Sequence, residues 1–203
     1  MTQRATFTKE MIVDAAFTLT RTEGWGTVTA RTIARKLGSS TMPIYSSLKS
    51  MEEIETKVRA RAEALMSDYQ RRPWTNNPLL NSAMGYVAFA RDETHLFRFL
   101  YLDGPRLPLD LPAAEPSPLP SAAEAQGVYK RNEQPMAAMK DPFVLKNWIF
   151  VHGLASLVAG RVVELSDERI RELIEEASAS FYMMTPAIRA IMKNQQEKER
   201  NHE

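Results

Sequence analysis

The chain has 203 residues, 44% of them hydrophobic and 25% charged, a length that suits one or two domains and buries a core without covalent staples. It holds no cysteine, which excludes a disulfide framework, a thiolate zinc site and a cysteine nucleophile and suits a reducing compartment. The net charge of +1 hides an asymmetry: residues 1–72 carry 12 basic and 8 acidic side chains, the rest 14 and 17, the footprint of a small nucleic-acid module on a neutral body.

The first ten residues contain no apolar run of signal-peptide length. Ile12, Ala15, Ala16 and Leu19 then follow at helical spacing. Thr8 is placed to cap that helix, Glu10 sits in its first turn, and Gly24 and Gly26 stop it. Thr29 opens a short helix from Ala30 to Leu37, which Gly38 ends. A third helix is expected over Thr41 to Ser47. Ser50 with Glu53 forms a capping box for a fourth, which runs through Ile54, Val58, Ala62 and Leu65 to about Arg71.

Pro73 and Pro78 bracket a boundary. Helices are expected from Leu79 to Arg91 and from Asp92 to Leu102. Half of the 12 prolines fall between Pro105 and Pro120, so this stretch is a loop. A loop so long is usually functional or mobile, and this one is a candidate cover for an internal pocket. A short helix over 122–132 follows, then two long ones, Pro142 to Val163 and Asp167 to Glu197, the second capped by Ser166. The polar tail from Asn194 frays. The apolar run from Phe143 to Leu165 is interrupted by Lys146, Asn147, His152, Arg161 and Glu164, so it reads as a buried helix rather than a membrane span. No strand pairs and no internal repeat are evident. The reading is an all-α fold in a soluble, cytoplasmic protein.

The segment from Val28 to Leu48 has the residues that two short helices need to pack steeply across a tight turn. Ile33 and Leu37 supply the apolar face of the first helix, and Ala34 permits close approach. Gly38 tolerates positive φ in the turn, and Ile44 anchors the second helix. Side chains near the start of such a second helix reach base edges in the major groove. Here these are Thr41 and Met42, with Pro43 behind them in the first turn. Thr41 can donate or accept a hydrogen bond, and Met42 can touch a thymine methyl. Ser39 and Ser40 lie within reach, Arg31, Arg35 and Lys36 add charge, and Ser46 and Lys49 are further phosphate candidates.

The run from Thr27 to Tyr45, with Gly24-Trp25-Gly26 before it and Ser50, Glu52 and Ile54 after it, resembles the DNA-binding domain of TetR-family transcriptional regulators. The matching residues are Ile33-Ala34, Gly38, Ser40, Ile44-Tyr45 and Ser50, over residues 8–66. Thr29 occupies the family's threonine before the first helix of the motif. Tyr45 looks like the family's phosphate-binding tyrosine. Ser39, Leu48 and Met51 depart from the family's usual Val, Phe and phosphate-contacting Lys. Farther on, Trp148, His152 and Gly153 are similar to a subgroup of TetR C-terminal domains named for those three residues.

The resemblance implies a three-helix helix-turn-helix domain over 1–50, a connecting fourth helix over 51–72, and a ligand-binding and dimerisation domain over 73–203. It implies double-stranded DNA as a partner, a small-molecule effector, and a homodimer through the two C-terminal helices. Candidate pocket residues are Met84, Tyr86, Phe89, Phe97, Tyr101, Trp148 and His152. His152 otherwise reads as a hydrogen-bonded packing residue. The expected function is a ligand-responsive repressor that binds a palindromic operator and is released by a small apolar molecule. The alternative is a helical small-molecule-binding or scaffold protein that has lost specific DNA binding. No nucleophile–base spacing, phosphate-cradling glycine loop or metal-ligand pair stands out, so neither catalysis nor a metal nor a cofactor is expected.

Overall fold

A computed structural model describes residues 7–47, 50–103 and 142–184, with all their side chains except those of Ser46 and Ser47. The protein is all-helical: among the described residues every regular element is a helix and none is a strand. The chain divides into two compact units. One takes Met1–Ser67 and Phe89–Arg106, the other Asp68–Ala88 and Leu107–Glu203. The stretch from Phe89 thus groups with the first 67 residues, whereas the sequence had suggested a boundary near residue 72.

In the first unit, helix α1 (Lys9–Glu23) opens as expected. The Thr8 hydroxyl accepts from the Met11 N–H at 3.2 Å, and Ile12, Ala15, Ala16 and Leu19 are all buried. A 3-10 turn, Trp25–Thr27, leads to α2 (Ala30–Lys36) and then to α3 (Met42–Ser47). The next helix, α4 (Met51–Gln70), starts where the Ser50 hydroxyl accepts from the Glu53 N–H at 3.2 Å. Ile54, Val58, Ala62 and Met66 form its buried stripe. Met66 takes the place expected for Leu65, which is only half-buried.

After α5 (Pro78–Asp92) the expected helix over Asp92–Leu102 is broken. Glu93 leaves helical geometry (φ −120°, ψ 46°), α6 spans only Thr94–Phe97, and Arg98–Leu102 forms a π-helical turn. A contact distant in sequence accounts for the break. The Glu93 carboxylate is buried and held by the fork of Arg21 on α1, with Nε 2.7 Å from Oε2 and Nη2 on Oε1. A buried carboxylate needs such a partner. Farther along, Trp25 and Phe99 lie 5.0 Å apart, and the Arg59 guanidinium is 4.4 Å over the Phe99 ring. These contacts fasten residues 93–102 to α1 and α4.

In the second unit, Asn77 caps α5 by accepting from the Leu79 N–H at 3.0 Å. Gly85 lets α5 press on the end of α4: a methyl there would come within 2.5 Å of Gln70 Cα and the Tyr69 carbonyl carbon, and closer still to the carbonyl oxygen. The helices α7 (Pro142–Ala159) and α8 (Asp167–Met183) pack antiparallel. Phe143 meets Tyr182 edge-on at 6.2 Å, and the Ser178 hydroxyl donates to Asn147 Oδ1.

Helix α7 ends at Ala159, four residues before the expected Val163. The Arg161 N–H bonds the Val158 carbonyl at 3.0 Å and the Val162 N–H the Leu157 carbonyl at 2.9 Å, with Arg161 at φ 54°. That is a closed C-terminal cap. By length and composition α7 is also apolar enough to cross a membrane, the only such helix among the described residues. Its one Lys is Lys146; the other charges expected to interrupt it, Arg161 and Glu164, lie beyond its end. Ser166 caps α8 as expected, accepting from the Arg169 N–H at 3.2 Å. The proline-rich stretch, the helix expected over 122–132 and the extension of the last helix to Glu197 lie outside the described residues.

Candidate nucleic-acid interface

The α2–turn–α3 segment is built from local rules. Thr29 and Thr32 cap α2 reciprocally: the Thr29 hydroxyl accepts from the Thr32 N–H at 3.1 Å, and the Thr32 hydroxyl from the Thr29 N–H at 2.9 Å. At the other end the Gly38 N–H bonds the Arg35 carbonyl at 3.2 Å and the Ser39 N–H the Ala34 carbonyl at 2.9 Å. This pair of bonds closes a helix only if the residue between them is left-handed. Gly38 has φ +65°, so glycine there is a backbone requirement. The Thr41 carbonyl then accepts from Ile44 and Tyr45, at 3.1 and 3.4 Å, and starts α3.

Burial sorts the segment into two faces. Ile33, Ala34 and Ile44 are buried, as their assigned packing roles require, and Leu37 is half-buried. On the other face Met42 is 66% and Tyr45 63% exposed, and Thr29, Ser40 and Thr41 are exposed as well. Ser39 and Pro43 are half-buried, and the Ser39 hydroxyl is turned to the Ser40 carbonyl at 3.0 Å. The side chain of Ser46, and Lys49 altogether, lie outside the described residues.

Between Gly24 and Met51 the sequence has four basic residues and no acidic one. Arg31, Arg35 and Lys36 are exposed and form no ion pair among the described residues. Their neighbours in the same unit are neutralised: Arg21 by Glu93, Arg59 by Glu55 and Arg61 by Asp14. The outward face of α2 and α3 therefore combines cations without an acidic partner among the described residues, hydroxyls and one long apolar side chain. Such a surface attracts an anion and offers hydroxyls, a phenol and a thioether for closer contact.

The seven candidate pocket residues fall into both units. Phe89, Phe97 and Tyr101 belong to the first, where the Tyr101 hydroxyl donates to Met66 Sδ at 2.9 Å. Met84, Tyr86, Trp148 and His152 belong to the second. There the Tyr86 hydroxyl and His152 Nδ1 are 2.9 Å apart, and the imidazole stacks on Trp148 at 5.0 Å and 11°. Burial pushes the His152 pKa below its ordinary value. His152 is thus hydrogen-bonded and packed. The burial of Gln70, on α4, was not expected from the sequence: it is 2% exposed, and its amide has no hydrogen-bond partner among the described residues. A lone glutamine in a helix carries no signal of this kind.

Fold and site define the class only as an all-helical protein with a cationic two-helix surface. Neither a protein-family model nor a curated protein matches the chain at a significant level.

Proposed function

We propose that the protein is a ligand-responsive, DNA-binding transcriptional regulator of the TetR type, a cytoplasmic repressor that binds a palindromic operator as a homodimer. The observation that carries this reading is the outward face of α2 and α3. A glycine-closed turn joins the two helices, Ile33, Ala34 and Ile44 are buried, and the exposed Arg31, Arg35 and Lys36, which form no ion pair among the described residues, share this segment with the exposed Thr41, Met42 and Tyr45. In this reading α2–turn–α3 is a helix-turn-helix and α3 enters the major groove. Tyr45 and the cations bind phosphates and supply affinity; Thr41 and Met42 touch base edges and supply specificity.

One six-residue helix gives little affinity by itself, which favours a two-fold dimer with half-sites about 34 Å or a multiple apart. The exposed Ile149, Gly153 and Leu157 follow one another along one side of α7, a surface suited to a second copy of the chain. A small apolar molecule bound in the helical body would release DNA by favouring a spacing of the two α3 helices that no longer fits the operator. It must bind that state more tightly, since equal affinity for both states moves nothing.

Selection from a pool of random double-stranded DNA tests the proposal. A palindromic sequence is expected to be enriched, which reports specific binding and dimer symmetry together. Retention that is uniform over all sequences and lost in modest salt would leave a bare electrostatic surface and overturn the regulator reading.

A further inference from the structure

From Ser39 to Leu48 the sequence holds only hydroxyl-bearing and apolar side chains; arginine, lysine, asparagine, glutamine, aspartate, glutamate and histidine are all absent. The turn and α3 therefore lack every group that pairs with a base edge through two hydrogen bonds at once, as Arg or Lys does with guanine and Asn or Gln with adenine. They also lack the carboxylate that accepts from the cytosine amino group. The exposed hydroxyls of Ser40 and Thr41 bond donors and acceptors alike, so they discriminate little between bases.

What remains on the outward side is one long apolar side chain. Met42 is 66% exposed, whereas Ile44, two residues on, is buried. Met42 and Tyr45 lie three apart on α3 and are neighbours on its surface. A thioether on an unbranched chain is flexible and polarizable, and it adapts its shape to an apolar partner. The floor of the major groove presents one such partner, the methyl on C5 of thymine. Cytosine carries the same methyl at the same place only when it is 5-methylcytosine. The exposed cations Arg31, Arg35 and Lys36 on α2 complement the phosphates that flank the groove.

We infer that α3 reads the C5 methyl group of a pyrimidine in the major groove, with Met42 as the side chain that reads it. Base discrimination by this helix is then methyl against no methyl, not a pattern of paired hydrogen bonds. This deepens the DNA-binding function proposed above and rests on it.

The palindromic site enriched from the random pool is remade as duplexes that differ only at C5. In one arm each thymine in turn is replaced by deoxyuridine, which removes the methyl and leaves every hydrogen-bonding group. In the other arm the same position carries cytosine or 5-methylcytosine opposite guanine. Burying one methyl is worth about fourfold in affinity. The full-length wild type is expected to lose about fourfold when the contacted thymine of one half-site is replaced, and about fifteenfold when both are. It is expected to prefer 5-methylcytosine to cytosine by the same factors. Met42→Ala, at an exposed position where alanine favours the helix, is expected to bind the methylated and unmethylated duplexes alike. A methyl effect at thymine alone, or at 5-methylcytosine alone, names the source of the methyl and keeps the inference. A wild type that senses the methyl at no position, or an effect undiminished in Met42→Ala, overturns it. A protein that selects a palindrome and senses no methyl keeps the regulator reading and loses this one; a protein that selects no sequence loses both.

Discussion

At the scale of single residues, two side chains allow sharp tests. Tyr45 is 63% exposed on α3. Tyr45→Phe keeps the ring and the helix and removes one hydroxyl. If that hydroxyl binds a phosphate, affinity should fall by about 1–2 kcal/mol for every DNA sequence alike, measured as the dissociation constant for several duplexes at fixed salt. A loss confined to one operator would refute the phosphate role.

His152 reports through pH. It is stacked on Trp148, bonded to Tyr86, and held below its ordinary pKa of 6.5 by burial. The native state therefore keeps it neutral over a range where the unfolded chain binds a proton. Above 6.5 neither state is protonated there and stability is unaffected. As pH falls through 6.5 the unfolded state gains the proton first, and stability declines until the native pKa is passed. Denaturant unfolding between about pH 7.5 and pH 5 should show His152→Gln with a shallower decline than the wild type; parallel curves would exclude the effect.

At the scale of elements, the close approach of α5 to the end of α4 at Gly85 allows a test of the second unit. At an ordinary helical site Gly→Ala gains about 1 kcal/mol. At Gly85 the new methyl meets the Tyr69 and Gln70 backbone within 2.5 Å, and backbone, unlike the end of a flexible side chain, cannot turn away. Overpacking of this kind costs about 1–3 kcal/mol, so Gly85→Ala should be net destabilising, read as a lower denaturation midpoint at unchanged m-value. A stabilised Gly85→Ala protein would contradict the crossing. The ends of elements were legible wherever a cap is local: Thr8, Thr29, Ser50 and Ser166 all cap as read, each bonding a backbone N–H three residues on. They were illegible where the cause is distant. Glu93 breaks the helix over 92–102 because Arg21, 72 positions earlier, holds its carboxylate.

At the scale of the whole molecule, the test is assembly. Ile149 and Leu157 are exposed at 52% and 44% on α7. Ile149→Glu with Leu157→Glu places two like charges on that face of each chain, which a two-fold interface would bring close to their copies. The double variant is expected to sediment as a monomer and to lose the palindromic site, while its helical circular dichroism is retained. A wild type that is itself monomeric at micromolar concentration would remove the dimer from the proposal.

The sequence by itself determined what short-range physics controls: an all-helical chain, where most helices start, and the left-handed glycine between α2 and α3. It also marked the inward positions of those helices, because helical spacing assigns faces without reference to other elements. The exposed cations of α2 and the position of Tyr45 on α3 were legible for the same reason. Only the tertiary structure decided that Phe89–Arg106 groups with the first 67 residues, that Gly85 admits a helix backbone, and that Gln70 is buried with no hydrogen-bond partner for its amide among the described residues. Each of these depends on contacts between residues far apart along the chain, and periodicity within one helix says nothing about which residues another helix will cover or leave unsatisfied.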